Sequence, residues 1–219
     1  MRILGLILVS LVLAGCGGGG GGDSEPAEVG NSISVFGVDG PMAGADVAIY
    51  DLQDYLDDPV TAVNRLRRSE TTDALTALAD DLELALDAGL GPFMVVITAN
   101  ESTTDLSTGK APVISQVRTV VTSLTDARAY ATPLTTAAVA IASHGESVAD
   151  DVLENLFGNQ ATAQEAAKAF FGFGMDASMD IFSIPPILDE NTLSRADQEA
   201  VAHYRGALEA LAAVLSSLA

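Results

Sequence analysis

Four patterns of apolar and polar positions follow one another along the 219 residues. The first is an apolar run without a charge, Ile3 to Val12, preceded by Arg2. A bilayer crossing takes about 20 apolar residues, so this run is too short to span one. A positive residue followed by an apolar stretch of this length is the layout of a secretory signal. The second pattern has no hydrophobic surface at all: Gly17 to Gly22, then Asp23-Ser24-Glu25-Pro26-Ala27-Glu28. Such a segment has nothing to bury and reads as a flexible tether. From Gly17 to Val29 a Gly-rich chain spans roughly 20 Å root-mean-square.

The third pattern has period two. Ile33, Val35 and Val38 lead into Asp39-Gly40-Pro41, and Val47 and Ile49 then alternate with Asp46, Ala48 and Tyr50. Two short runs joined by a Gly-Pro turn predict a β-hairpin. Phe93 to Ala99 is rich in β-branched and aromatic residues and predicts a strand, as does Val117 to Leu124. Strands at this spacing point to a small sandwich. Leu52 to Leu66 reads as helix or loop. Within 71–88 the period leaves two readings open: Leu75, Leu78, Leu82 and Leu86 fit a helix face, whereas Leu82, Leu84 and Leu86 fit a strand.

Beyond Tyr130 the chain turns alanine-rich and the period becomes helical. Thr132-Pro133 supplies an N-cap with proline at the first helical position, opening a helix over Leu134 to Ala142. A second helix is expected from Ser147 to Phe157, ended by Gly158, and a third from Ala161 to Phe171, ended by Gly172-Phe173-Gly174. Pro185-Pro186 excludes helix locally. Ser194-Arg195-Ala196-Asp197 is a capping-box variant, with Asp for Glu, opening a long helix through Val201, Leu208, Leu211, Leu215 and Leu218. The predicted organisation is therefore a signal over 1–15, a tether over 16–30, a β-sandwich domain over 31–131 and a helical region over 132–219. The fold class is α+β, with the small sandwich first and the helices after it.

Two short motifs carry family resemblance. Leu13-Ala14-Gly15-Cys16, set between the apolar run and the glycines, resembles the lipobox of bacterial lipoproteins, and the whole layout resembles lipoproteins of Gram-negative bacteria. The resemblance implies cleavage before Cys16, a diacylglycerol thioether on its thiol and acylation of the new amino terminus. Gly17, rather than Asp, after the cysteine implies sorting to the outer membrane. Gly37-Val38-Asp39-Gly40-Pro41-Met42-Ala43-Gly44-Ala45-Asp46-Val47 resembles the first hairpin of carboxypeptidase-regulatory-like domains, which are transthyretin-like or immunoglobulin-like sandwiches. That resemblance covers Ser32 to Thr125. It departs from the family where Thr72-Asp73-Ala74-Leu75 replaces the usual Asp/Asn-Gly turn. Ile33 to Val38 holds no lysine, so the isopeptide crosslink of related domains is not expected.

Charge and side-chain chemistry narrow the function. A net charge of -20 at 48% hydrophobic content describes an acidic globular chain. Phosphate backbones are bound by Lys and Arg, so nucleic acid is excluded as a partner. The charge also repels anionic headgroups, leaving the lipid on Cys16 to hold the membrane. One acyl chain binds a bilayer only marginally, and two or three bind it durably. Cys16 is the single cysteine, so no internal disulfide forms.

His144 and His203, the two histidines, are read as capping, exposed or core residues rather than ligands, since a zinc site needs about three. Asp57-Asp58, Asp80-Asp81 and Asp176-Ala177-Ser178-Met179-Asp180 do not match EF-hand spacing and read as solvated acids. Thr104-Asp105-Leu106-Ser107-Thr108-Gly109 reads as turn chemistry. Phe170, Phe171, Phe173, Ile181, Phe182 and Ile184 form the densest aromatic stretch and are expected to pack in the core or dock helices on the sandwich. Without Trp, carbohydrate stacking is disfavoured. No Gly-x-Ser-x-Gly elbow, Ser-x-x-Lys pair or P-loop occurs.

The expectation is an outer-membrane lipoprotein anchored at Cys16. It would act as a structural or binding module with a protein partner and without catalytic, cofactor-binding or metal residues. The alternatives are a periplasmic hydrolase or accessory subunit using acidic residues, and a calcium-dependent adhesive module.

Overall fold

The computed structural model describes residues 32–85, 91–122, 128–145, 151–188 and 192–218. The signal, Cys16 and the tether lie outside these residues, as do Leu86, Leu124 and Ser147. The fold is α+β. Strand β1 (Ser32–Gly37) is the centre of a three-stranded sheet. It pairs antiparallel with β5 (Leu78–Glu83) and parallel with β9 (Arg128–Ala131). A four-stranded antiparallel sheet has the order β4 (Glu70–Thr71), β3 (Asp46–Asp51), β6 (Phe93–Thr98), β8 (Gln116–Val121). A two-stranded pair, β2 (Met42–Ala43) with β7 (Thr104–Asp105), lies beside them.

The strand β6, Phe-Met-Val-Val-Ile-Thr, is apolar on both sides because both faces are covered. Phe93, Val95 and Ile97 join Ile33, Val35, Leu82 and Ala129 of the three-stranded sheet in one core cluster. The intervening Met94 and Val96 face another cluster that holds Leu52 and Tyr55 of α1 (Leu52–Asp57), Val139 and Ala142 of α2 (Pro133–Ser143), and Leu156 and Ala163 of α3 (Val152–Phe171). The other face of β1 and β9 presents Phe36 and Tyr130 to Leu134, Ala138 and Ala167, and to Tyr204 and Leu208 of α4 (Arg195–Leu218). Alanines on the facing surfaces of α2 and α3 let these two helices approach closely.

Several expected elements form as read. Thr132 caps α2, accepting from the Thr135 amide at 3.1 Å while Thr135 Oγ1 accepts from the Thr132 amide at 2.8 Å. Ser194 and Asp197 make the expected box: the Asp197 amide donates to Ser194 Oγ at 3.1 Å, and the Ser194 amide donates to Asp197 Oδ2 at 3.1 Å. Of the two readings for 71–88 the structure takes the strand, beginning earlier, at Leu78. Leu52 to Leu66 divides into α1 and an extended stretch that bridges Asn64 to Tyr50 and Leu66 to Leu84.

Two expectations are corrected, and one element is new. β1 and β3 do not form a hairpin, for they belong to different sheets. Alternation marks a half-buried strand but not its neighbour, and Gly37 lets the sheets close together: a Cβ there would lie 2.8 Å from Ile97 Cδ1. The chain then crosses between sheets through β2, with Thr72 Oγ1 accepting from the Ala45 amide at 2.9 Å and donating to the Met42 carbonyl at 2.5 Å. Gly158 does not end a helix. α3 runs through it, since one exposed glycine costs only about 1 kcal/mol and Leu156, Ala163 and Ala167 give one buried face across it. Its N-cap is Asp151, which accepts from the Leu153 and Glu154 amides. Strand β9 was not foreseen, being only four residues long.

Tyr204 is fully buried. Its hydroxyl lies 2.9 Å from Thr132 Oγ1 and donates to the Ile181 carbonyl at 3.0 Å. Removing it by Tyr204→Phe is expected to destabilise the chain by about 1–3 kcal/mol. Thr132→Ala should do the same through the lost cap, at about 0.5–2 kcal/mol. The double variant should cost less than the two singles together, because each single already breaks their shared contact. Urea unfolding of the four chains measures this, and strict additivity would count against the coupling.

Candidate functional site

The turn expected at Asp39-Gly40-Pro41 lies at the end of β1, tied by the Asp39 carboxylate to a later loop at Ile114 and packed on the buried Asp105 carboxylate of another. Asp105 is 5% exposed. Its Oδ1 accepts from the amide and the hydroxyl of Ser107 at 2.8 and 2.7 Å, and its Oδ2 from Thr108 Oγ1 at 3.0 Å. The sequence reading of 104–109 as turn chemistry therefore holds. Gly40 packs directly on this carboxylate, since a Cβ there would fall 1.7 Å from Asp105 Oδ1. Asp39 is 1% exposed, and its Oδ2 accepts from the Ile114 amide at 3.0 Å. Its Oδ1 is buried without a hydrogen-bond partner. Burial raises the Asp39 pKa above its usual 3.8, and the nearby Asp105 carboxylate adds to that; the Ile114 and Val113 amides and Arg205 oppose it.

Beside this corner a groove of about 460 Å³ separates the β2 and β7 loops from α4. Pro41, Leu106 and Ser107 form one wall, and Val201, Ala202, Gln198 and Arg205 of α4 form the other, closed by Ile187 and Leu188. Neither buried carboxylate is among its lining residues. Among the described residues Arg205 is the one charged side chain on it. Its Nη2 donates to Glu209 Oε1 at 2.9 Å, one helical turn on, while its Nη1 is buried with no partner. The sequence reading placed Pro41 and Leu106 in turns and Val201 on the last helix without indicating a groove, and Arg205 carried no signal, because an arginine on an amphipathic helix ordinarily reads as solvated.

The other candidates resolve separately. His144 ends α2, with Nδ1 2.9 Å from the Ala140 carbonyl, and His203 is exposed on α4. Gln53 Nε2 donates to Asp57 Oδ1 at 3.0 Å. Asp58 accepts from the Val60 amide and the Thr61 hydroxyl, which lower its pKa. Asp176 accepts from the Ser178 amide and hydroxyl, with the same effect. Asp180 accepts from the Phe182 amide and Ser183 hydroxyl. Asp80 and Asp81 fall in β5, with side chains outside the description. Among the described residues no group of three His, Cys, Asp or Glu side chains could hold a metal ion.

The aromatic stretch divides. Ile181 is buried and Phe182 and Ile184 pack against the core, but Phe170, Phe171 and Phe173 are exposed, which corrects the core expectation for these three. Helical period names a face but not where its partner ends, and the last buried positions on α3 are Ala167 and Lys168. Lys168 was not anticipated. It is buried, and its Nζ donates to the Ala177 and Met179 carbonyls, fixing the loop that carries Ile181.

Comparison with protein-family models, curated proteins and solved structures finds no match.

The raised pKa of Asp39 has a defined pH consequence. The folded chain holds this proton more tightly than the unfolded chain. Stability from this group is therefore present below about pH 4 and is lost as pH rises through the folded-state pKa. Asp39→Asn keeps an acceptor for the Ile114 amide and cannot ionise. Its stability relative to the parent should rise between about pH 4 and pH 7, read from urea midpoints at each pH. A difference that does not change with pH would show that Asp39 does not titrate in this window. Exposed acids such as Asp58 and Asp176, with lowered pKa, give the opposite slope in both chains and cancel.

Proposed function

We propose that the chain is an exported lipoprotein held to the outer membrane through lipid on Cys16, with a non-catalytic binding module as its body. The observation that carries this is the order of segments: an apolar run behind Arg2, Leu13-Ala14-Gly15-Cys16, six glycines, and then a packed body whose first strand starts at Ser32. The body is read as a transthyretin-like sandwich joined to helices. The cluster uniting Ile33, Val35 and Leu82 with Val95 and Ile97 supports that reading, although the β1 and β3 runs are not the paired hairpin of the resemblance.

The binding role is supported by the mostly apolar groove beside Pro41 and Leu106, which has the volume of a small-molecule site. The non-catalytic part is supported by the state of the carboxylates. Asp105 takes three donors, Asp58, Asp176 and Asp180 accept amides in turns, and Asp57 accepts from Gln53 along α1.

Cys16→Ser tests the anchor. The parent is expected in the membrane fraction, resisting a salt wash and released by detergent, because its attachment is apolar and not ionic. The variant is expected in the soluble fraction with an unchanged circular dichroism spectrum. A Cys16→Ser chain that stays with membranes after the wash overturns the lipoprotein reading.

A further inference from the structure

Two enclosed polar atoms of opposite kind stand without partners where the turn after β1 meets α4. Asp39 Oδ1 is an acceptor on a buried side chain, and Arg205 Nη1 is a donor. Neither has a hydrogen-bond partner within the protein. A buried polar group left unpaired carries the full penalty of its lost hydration, which native structures avoid.

The two are related by place and by charge. Asp39 lies two residues before Pro41 on one wall of the groove, and Arg205 stands on the opposite wall. The guanidinium favours the ionised form of the Asp39 carboxyl, so its field reaches that group. The remaining ends of both side chains are committed. Asp39 Oδ2 accepts from the Ile114 amide at 3.0 Å, and Arg205 Nη2 donates to Glu209 Oε1 at 2.9 Å. The free ends do not bond each other, yet the carboxylate lacks a donor and the guanidinium lacks an acceptor. A metal cation would suit Asp39 and be repelled by Arg205; an anion would do the reverse. The occupant that completes both must accept from one and donate to the other. Water does this in the smallest volume, and two polar partners are enough to hold it.

We propose that one internal water joins Arg205 Nη1 to Asp39 Oδ1, closing an ionic link between α4 and the turn after β1. The water accepts from the guanidinium and donates to the carboxylate. With Asp39 Oδ2 on the Ile114 amide, the link also references α4 to the segment that enters β8. It requires neither the lipid at Cys16 nor a ligand in the groove.

A crystal structure of the soluble Cys16→Ser chain, at a resolution that shows ordered water, reads the link directly. One water within about 2.7–3.2 Å of both atoms is expected. A direct contact between Arg205 and Asp39, a dry gap or an ion in that place each overturns the proposal. Urea unfolding of the parent, Asp39→Asn, Arg205→Met and the double variant reads its weight. At pH 7 Arg205→Met leaves a buried carboxylate without its link. Its cost in the folding constant should be about tenfold greater in the parent than in the Asp39→Asn background. Below about pH 3, with the carboxyl protonated, the two costs should converge. Among the described residues Asp105 is the other charged side chain that acts on Asp39; it is present in all four chains and drops out of the comparison. Glu209→Gln, which removes only the exposed partner, should leave the cost of Asp39→Asn unchanged. Equal costs of Arg205→Met in the two backgrounds at pH 7, or a difference that pH does not alter, overturns the link. If Arg205→Met does not fold, the crystal structure of the Cys16→Ser chain decides alone.

Discussion

Thr132 is where β9 becomes α2, and the packing of sheets and helices is settled around its buried hydroxyl. Its Oγ1 takes the Thr135 amide and lies 2.9 Å from the Tyr204 hydroxyl of α4, which in turn holds the Ile181 carbonyl. One residue earlier, the Ala131 carbonyl accepts from the Val38 amide at 2.9 Å, so the same corner closes the three-stranded sheet. Thr132 also bridges to Arg118 of the four-stranded sheet, and Thr135 Oγ1 donates to the Arg118 carbonyl at 2.8 Å. Both sheets, α2, α4 and the loop before α4 are thereby referenced to one point. With no exposure at Thr132 or Tyr204, water cannot replace a lost partner, and each break leaves a buried polar group unpaired.

The acidic composition is accommodated by backbone more than by cations. Asp51 and Asp151 accept from the first amides of α1 and α3, where the helix dipole favours negative charge. Asp73, Asp176 and Asp197 take amides in turns and at a cap, and these hydrogen bonds lower their pKa values. A carboxylate bonded by two amides is stabilised without a positive side chain, so a chain with 30 acids and 10 bases folds with its charge largely at the surface. Asp39 is the exception in sign, because its burial outweighs its amide bonds.

What was legible in the sequence was what local physics determines. The capping residues Thr132 and Ser194, the β-branched run of β6 and the amphipathic stripe of α4 each follow from neighbours within a few positions. What was illegible needed distant ones. Val35 and Val47 alternate in the same way and lie in opposite sheets; β9 is too short to show a period; and Phe170 repeats the spacing of Ala163 and Ala167 yet is 76% exposed. Leu218 likewise continues the stripe of α4 and is 78% exposed. The candidate site was half legible. The Asp39-Gly40-Pro41 turn stood out as punctuation, whereas Arg205, Lys168 and the unpaired Asp39 oxygen acquire meaning only once burial is known.

The groove is tied to β1, which is hydrogen-bonded on both sides as the central strand of its sheet. Its register with β5 and β9 fixes Phe36 against Tyr130, and Phe36 and Val38 then pack with Tyr204 and Leu208 of α4. The α4 wall of the groove, Val201 and Arg205, is therefore positioned by the same helix that β1 holds, while the Pro41 wall continues from β1 itself. Both walls therefore answer to one strand.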